Sequence, residues 1–512
     1  MSDRKTEGAK MAVELETRCN IDINAAREES SWYALLNVLS LSLGSRMGID
    51  LNDEMRNREI GTAGVCVDDL SAKNIDLLQA VFKNGIPLLG KRFSLWDMDT
   101  WRWNRSSFDR EIAPKAQGWT IVAELECAKW LSASANRASL SVKAKTDWKT
   151  LSLVLGVEAR VQCEYAFENL RDANGLFVSA VPEENGYSLR GEAELTDQLC
   201  MLMACSDLSG VHGKLGSVLM DEESRKRISG LADQLLQVIM DNEAMLLERE
   251  MNKSQALSLA VSAFIWYASA SGNRELNSKA MALVRKYADI LVAMHDSSEM
   301  VGNSTVDAAA ALKALCDAFR TTRLRAYANA AMDVFNFLES QWWNLPGLYA
   351  SSPMSDEYTY NADDIGIILS ALNASRLYLK DRINRGLAEL RLRVFFCNAV
   401  NLSGLQMSMP SMDFLPDWFQ QREPSIHFRH NAIPLPGEVG GGFGVSPVMA
   451  AEVAYNPQGD MWSRRMMFDT SAAMRASCEL MWLNHDAVNG FPDVNMESTS
   501  QSVREASGSG TE

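Results

Sequence analysis

The residues best suited to chemistry lie in one stretch, Gln341 to Ser370, QWWNLPGLYASSPMSDEYTYNADDIGIILS. Glu357, Asp363 and Asp364 supply carboxylates there. Cleaving a glycosidic bond takes one carboxylic acid to protonate the leaving oxygen and a second carboxylate to act as base or nucleophile. Asp363 and Asp364 are adjacent, so on a helix they cannot both point into one cleft. The same acids also suit a structural role. Asn361, Asp363 and Asp364 stand where a helix begins, and acids there satisfy free N–H groups and the helix dipole. Trp342, Trp343, Tyr358 and Tyr360 flank the carboxylates, and such rings either stack on sugar faces or anchor a core.

A second set is Ser425-Ile-His-Phe-Arg-His430, between Pro424 and Pro434. On a helical segment His427 and His430 would reach one metal ion, with Glu438 or Asp413 completing the ligands, although no HExxH accompanies them. With Arg429 the pair would instead bind an anion, or a histidine would serve as acid and base in an epimerisation. The run Gly437 to Gly444 lacks the GxxxxGK[ST] pattern and the strand-loop-helix setting of a nucleotide loop, so it reads as a tightly turned loop beside a site. Trp96, Trp101 and Trp103 pack between charges in a segment without helical or strand period. The basic residues from Lys380 to Arg393 fit a solvated helix face.

The elements that must position these groups are mostly helices. The spacing predicts helices over 31–43, 70–82, 114–131, 148–170, 225–249, 254–270, 276–294, 323–341, 363–379, 382–400 and 470–484, and an Ala-rich one behind Ser304 ending near Arg320. A short hairpin is expected around Glu184-Asn185-Gly186. Seven prolines and a glycine run between 401 and 460 forbid regular helix there. Residues 1–30 read as a flexible N-terminal arm, 31–116 as a helical and irregular element packed on the main domain, 117–494 as that domain, and 495–512 as a disordered tail.

Composition narrows the function classes. A net charge of −16 over 512 residues opposes non-specific nucleic-acid binding, which needs a positive face. The nine cysteines are scattered without a CxxC pair, as expected of reduced core thiols. The uncharged run from Ser254 to Asn273 is rich in Ser and Ala and reads as a core helix, not a bilayer span. With no apolar leader at the N-terminus, the expectation is a soluble, cytoplasmic protein without nucleic-acid or membrane partners.

Consecutive helices with short connections imply antiparallel neighbours. CEYAFENLRDANGLFVS, VFNFLESQWWNLPGLYAS and LMWLNHDAVNGFPDV each end an aromatic helix with a similar glycine turn, at unequal spacings. Paired helices followed by this W-N-x-x-G-L-Y turn resemble the (α/α)6 toroid, or six-hairpin, superfamily over residues 117 to 490. That resemblance implies an all-α ring of antiparallel helical hairpins with its site on the loops at one end. It further implies a carbohydrate-active enzyme, a hydrolase or a sugar isomerase or epimerase acting on a soluble sugar or uronate, with no cofactor. In this reading Glu357, Asp363 or Asp364 would do acid–base work, His427, Arg429 and His430 would orient or protonate substrate, and Trp342 and Trp343 would form the platform beside Tyr358, Tyr360 and Glu438. The rivals are a non-enzymatic helical scaffold with a degenerate pocket, and a metal-dependent hydrolase using His427 and His430.

Overall fold

A computed structural model describes residues 21–43, 47–65, 77–89, 105–135, 142–184, 186–211, 213–250, 252–296, 304–352, 357–408 and 444–484. The class is all-α, with short strands in the connections. In chain order the helices are α1 (Ile23–Leu41), α2 (Asp53–Thr62), α3 (Pro114–Ser134), α4 (Val142–Asn169), α5 (Leu195–Gly210), α6 (Gly213–Leu219), α7 (Glu222–Asp241) and α8 (Glu243–Arg249). They continue as α9 (Lys253–Ala270), α10 (Arg274–Asp296), α11 (Thr305–Thr322), α12 (Arg325–Ser340), α13 (Ala362–Tyr378), α14 (Arg382–Phe395) and α15 (Thr470–Trp482).

Two kinds of long helix alternate. In α9 every residue from Ala256 to Ala268 is buried, and α3, α5, α11, α13 and α15 are likewise buried around most of their circumference. Helices buried on all sides belong to a core of helices. Four of their partners, α7, α10, α12 and α14, are amphipathic. In α12 the buried positions are Tyr327, Ala328, Ala330, Ala331, Val334, Phe335 and Leu338, one stripe at helical spacing. The fully buried helices pack in sequence, α3 on α5, α5 on α9, α9 on α11, α11 on α13 and α13 on α15, and α15 packs back on α3. Each also packs against one further helix: α4 on α3, α7 on α5, α10 on α9, α12 on α11, α14 on α13 and α1 on α15, of which α1 is buried at every position from Glu29 to Leu41. The backbones of α3 and α5 come so close that a β-carbon at Gly118 would stand 2.6 Å from the Cys200 carbonyl carbon.

The interior between the buried helices is charged as well as apolar. Lys313 lies 3.1 Å from Asp317 and above the Trp482 ring at 5.4 Å. Lys129 pairs with Glu126 at 2.8 Å and with Asp207. These pairs allow helices buried on every face to carry ionised side chains, because a buried charge needs a partner.

The strands form small antiparallel sheets. β1 (Gly48–Asp50) pairs with β2 (Leu78–Val81), β4 (Leu88–Leu89) with β10 (Gly444–Val445), β3 (Asn84–Gly85) with β13 (Phe468–Asp469), and β5 (Ala180–Glu183) with β6 (Gly186–Leu189). β7 (Trp342–Trp343) pairs with β8 (Leu348–Tyr349), and β11 (Glu452–Asn456) lies between β9 (Tyr358–Asn361) and β12 (Met461–Arg464).

Several expected elements are corrected. The helix expected over 70–82 is strand β2 in its described part. Its second edge is satisfied by side chains: Glu158 accepts from Leu78 N at 2.9 Å, and Gln117 accepts from Val81 N at 3.1 Å while donating to Val81 O at 2.8 Å. The first helix starts behind the Asp22 cap, not at Ser30-Ser31, and Ser30 bonds back to the Arg27 carbonyl from within it. The helix expected over 225–249 divides at Asn242. The one expected over 382–400 passes into a π-helical turn at Phe396–Leu402. Among the described residues six cysteines are buried free thiols, but Cys397 is disulfide-bonded, which the scattered spacing does not reveal. No helix among the described residues is long and apolar enough to cross a membrane.

Candidate functional site

The first turns of the six buried helices lie together. α3 begins with Pro114, whose missing N–H is no loss at a helix start. Its next amide, Lys115 N, is capped by Asp197 of α5 at 2.9 Å. The start of α5 is capped in turn by Glu250, which accepts from Thr196 N at 2.8 Å. Gln255 of α9 donates to Asp307 of α11 at 2.8 Å, and Asp307 N is capped by Ser304 at 3.0 Å. In α13, Asn361 and Asp364 form a reciprocal capping box, with Asp364 accepting from Asn361 N at 2.9 Å. Asp469 caps α15 through Ala472 N at 2.8 Å. Each carboxylate meets the positive end of a helix, and two of them cap a neighbour's helix instead of their own.

Above the starts of α3, α5 and α15 opens a cavity of about 520 Å³, lined by Lys115, Glu194, Asp197, Asp469 and Ser471 together with the β5–β6 hairpin. Burial, with the charge of Glu194 second, pushes the Asp197 carboxyl up to about 7. Burial followed by the charge of Asp363 does the same for Asp364, also to about 7. Burial also raises Asp469 and Glu250. Asp363 stays 17% exposed and faces Arg475 at 4.0 Å. Arg475 lies over the Trp119 ring at 5.3 Å and reaches down to Glu479 at 3.8 Å. Beneath it Ser370 donates to Glu479, and a cavity of about 20 Å³ among Trp119, Ser262, Lys313 and Glu479 closes the interior. That is room for about one water.

Chemically, this end of the molecule places the raised carboxyls of Asp197 and Asp364 near Asp363 and its arginine. A carboxyl titrating near 7 can donate a proton to a bound substrate. Lys115 adds an ammonium group on the same wall.

The residues expected from the sequence are distributed unevenly. Asp363 is at this mouth, and Asp364 beside it serves as a cap. Glu357 is exposed ahead of β9, where its carbonyl accepts from Ser351 N at 2.9 Å. Trp342 is buried, with the Arg391 guanidinium over its ring at 4.4 Å. Tyr358 and Tyr360 are buried, and only Trp343 of the four aromatics is exposed, at 47%. His427, Arg429, His430, Glu438, Asp413, Trp96, Trp101 and Trp103 lie outside the described residues. Among the described residues no three His, Cys, Asp or Glu side chains gather as metal ligands. Lys115, Asp197, Asp469 and Arg475 were not singled out from the sequence, and Asp307 only by its capping-box spacing from Ser304. The signal for the acids is there all the same: Asp197, Asp307, Asp363 and Asp469 each fall at the start of a buried helix, α5, α11, α13 and α15, while α3 and α9 begin without an acid. No family model matches the chain, and no curated protein matches it.

Proposed function

We propose that the twelve paired helices form an (α/α)6 toroid and that the chain is a carbohydrate-active enzyme working at the mouth where the inner helices begin. The circuit of packing from α3 through α15 and back to α3, with one further helix packed on each member, supports the ring. One observation carries the enzymatic reading: at one end of that circuit, Asp197 with its carboxyl pushed up to about 7 lines a cavity of about 520 Å³ together with Asp469 and Lys115. Perturbed acids gathered in a cleft mark functional sites. Asp197 is the proton donor in this proposal, and Asp363 or Asp469 the second carboxyl group, in the hydrolysis or isomerisation of a soluble sugar or uronate.

The experiment is a panel of neutral and uronate oligosaccharides and free sugars, followed by reducing-end release and by NMR of the anomeric protons. Wild-type turnover that falls at least about a hundredfold in both Asp197→Asn and Asp363→Asn supports the proposal. A second reading, a helical scaffold with a degenerate pocket, is favoured by the capping duties of Asp197, Asp364 and Asp469 and by the filled interior below them. It expects no turnover, and it expects both Asn variants to differ from wild type only in stability.

A further inference from the structure

The cavity of about 20 Å³ beneath the mouth is lined by Arg475, Lys313, Glu479 and the indoles of Trp119 and Trp482. Arg475 is 7% exposed, and its Nε is enclosed without a hydrogen-bond partner. Its carboxylate neighbours, Asp363 at 4.0 Å and Glu479 at 3.8 Å, are both beyond hydrogen-bond reach. Arg160 and Arg391, which are less buried, face Glu59 at 2.6 Å and Glu339 at 3.0 Å. The indole nitrogens Trp119 Nε1 and Trp482 Nε1 are also buried without an acceptor among the described residues. Lys313 gives two of its three N–H groups to Asp317 at 3.1 Å and Ser262 at 3.4 Å, and keeps one.

A buried donor without an acceptor forfeits its hydration and gains nothing for it. Three such donors on the residues around one cavity call for an acceptor inside it. The volume admits one particle the size of a water molecule, so sugars, carboxylates and phosphates are excluded. The choice lies between water and a monatomic anion. A water must also place its own two hydrogens, and the one carboxylate on the wall, Glu479, already accepts from Ser370. A halide ion accepts from every side and donates nothing. Charge favours it too. Arg475 and Lys313 stand on the wall against Glu479 alone, and the Asp317 that pairs with Lys313 is shared with Arg320 at 4.0 Å.

We propose that this cavity binds a single halide ion, chloride, held by Arg475 and Lys313 and by the indole N–H groups of Trp119 and Trp482. These residues belong to α3, α11 and α15, so the ion ties three of the buried helices together below the mouth. The site does not depend on the reaction proposed above it, and failure of either leaves the other standing.

The test melts the full chain in sodium chloride from about 1 to about 150 mM, with sodium methanesulfonate holding the ionic strength constant. The expected result is a saturable rise in melting temperature of at least about 2 °C, reproduced by bromide and absent with methanesulfonate, which is too large for the cavity. Phe at either tryptophan keeps an aromatic ring and removes the indole N–H. The chloride concentration at half-rise should increase at least about tenfold in Trp482→Phe or Trp119→Phe. Each variant is read against its own melting temperature without chloride, so lost packing does not imitate a lost ion. In crystals soaked in bromide, an anomalous peak should fall within the cavity. Equal melting temperatures in chloride and methanesulfonate, as expected of a bound water, overturn the proposal. So does an unchanged half-rise concentration in both variants, or bromide found only elsewhere on the molecule.

Discussion

Asp197 carries two duties that conflict above neutral pH. It caps α3 through Lys115 N, and it sits buried with Glu194 nearby, so its carboxyl titrates at about 7 instead of the ordinary 3.8. Between those values the folded chain holds a proton that the unfolded chain has released. Stability from this group is therefore greatest at low pH and falls as pH rises toward 7. Asn at this position keeps an acceptor for Lys115 N and cannot ionise. Asp197→Asn should flatten the fall in melting temperature between about pH 5 and pH 8, with Asp364 supplying the slope that remains. If Asp197 is the proton donor, wild-type turnover declines above about pH 7 as its proton is lost. A turnover profile rising through that range would assign the proton donor elsewhere. In the sequence Asp197 is one acid among many. Its position at a helix start is legible, but its burial depends on α3 and Glu250, which arrive from distant parts of the chain. Asp363 was legible because Asn361, Asp363 and Asp364 mark a helix start within four residues.

At the scale of elements, the contrast between fully buried and amphipathic helices explains what could be read in advance. The stripe of α12 and the uncharged run of α9 are both visible in sequence, and both segments are helices. Strand β2 was not, because a short apolar run fits either period and its edges are satisfied by Glu158 and Gln117. The sheet of β9, β11 and β12 was hidden by the prolines around it. Two expected outcomes belong here. Gly118→Ala places a methyl against the Cys200 backbone of α5, so overpacking should cost at least about 1–3 kcal/mol by denaturant unfolding. Lys313→Met leaves Asp317 buried and paired only with Arg320 at 4.0 Å, so a loss of about 3–5 kcal/mol is expected, recovered in large part by adding Asp317→Leu. A Met variant as stable as wild type would show that the pair contributes nothing net to the fold.

For the molecule as a whole, the all-α class was legible from helical period and short connections. Closure of the packing circuit was not, because it rests on contact between α3 and α15, more than three hundred residues apart in the chain. Amide hydrogen exchange addresses that closure. α5, α9 and α13, enclosed on all sides, should exchange only through the slowest opening, with α7, α10 and α14 exchanging earlier on their exposed faces. The same exchange rate for both sets would contradict an inner and an outer layer.

The central claim is that the mouth above the inner helix starts is catalytic. The most direct measurement is turnover of the neutral and uronate sugar panel by wild type, Asp197→Asn and Asp363→Asn at pH 6, with melting temperatures recorded alongside. The account predicts turnover of at least one sugar by wild type, and at least about a hundredfold loss in each variant at near-native melting temperature. Turnover by wild type that survives in both variants, or no turnover of any sugar, contradicts it.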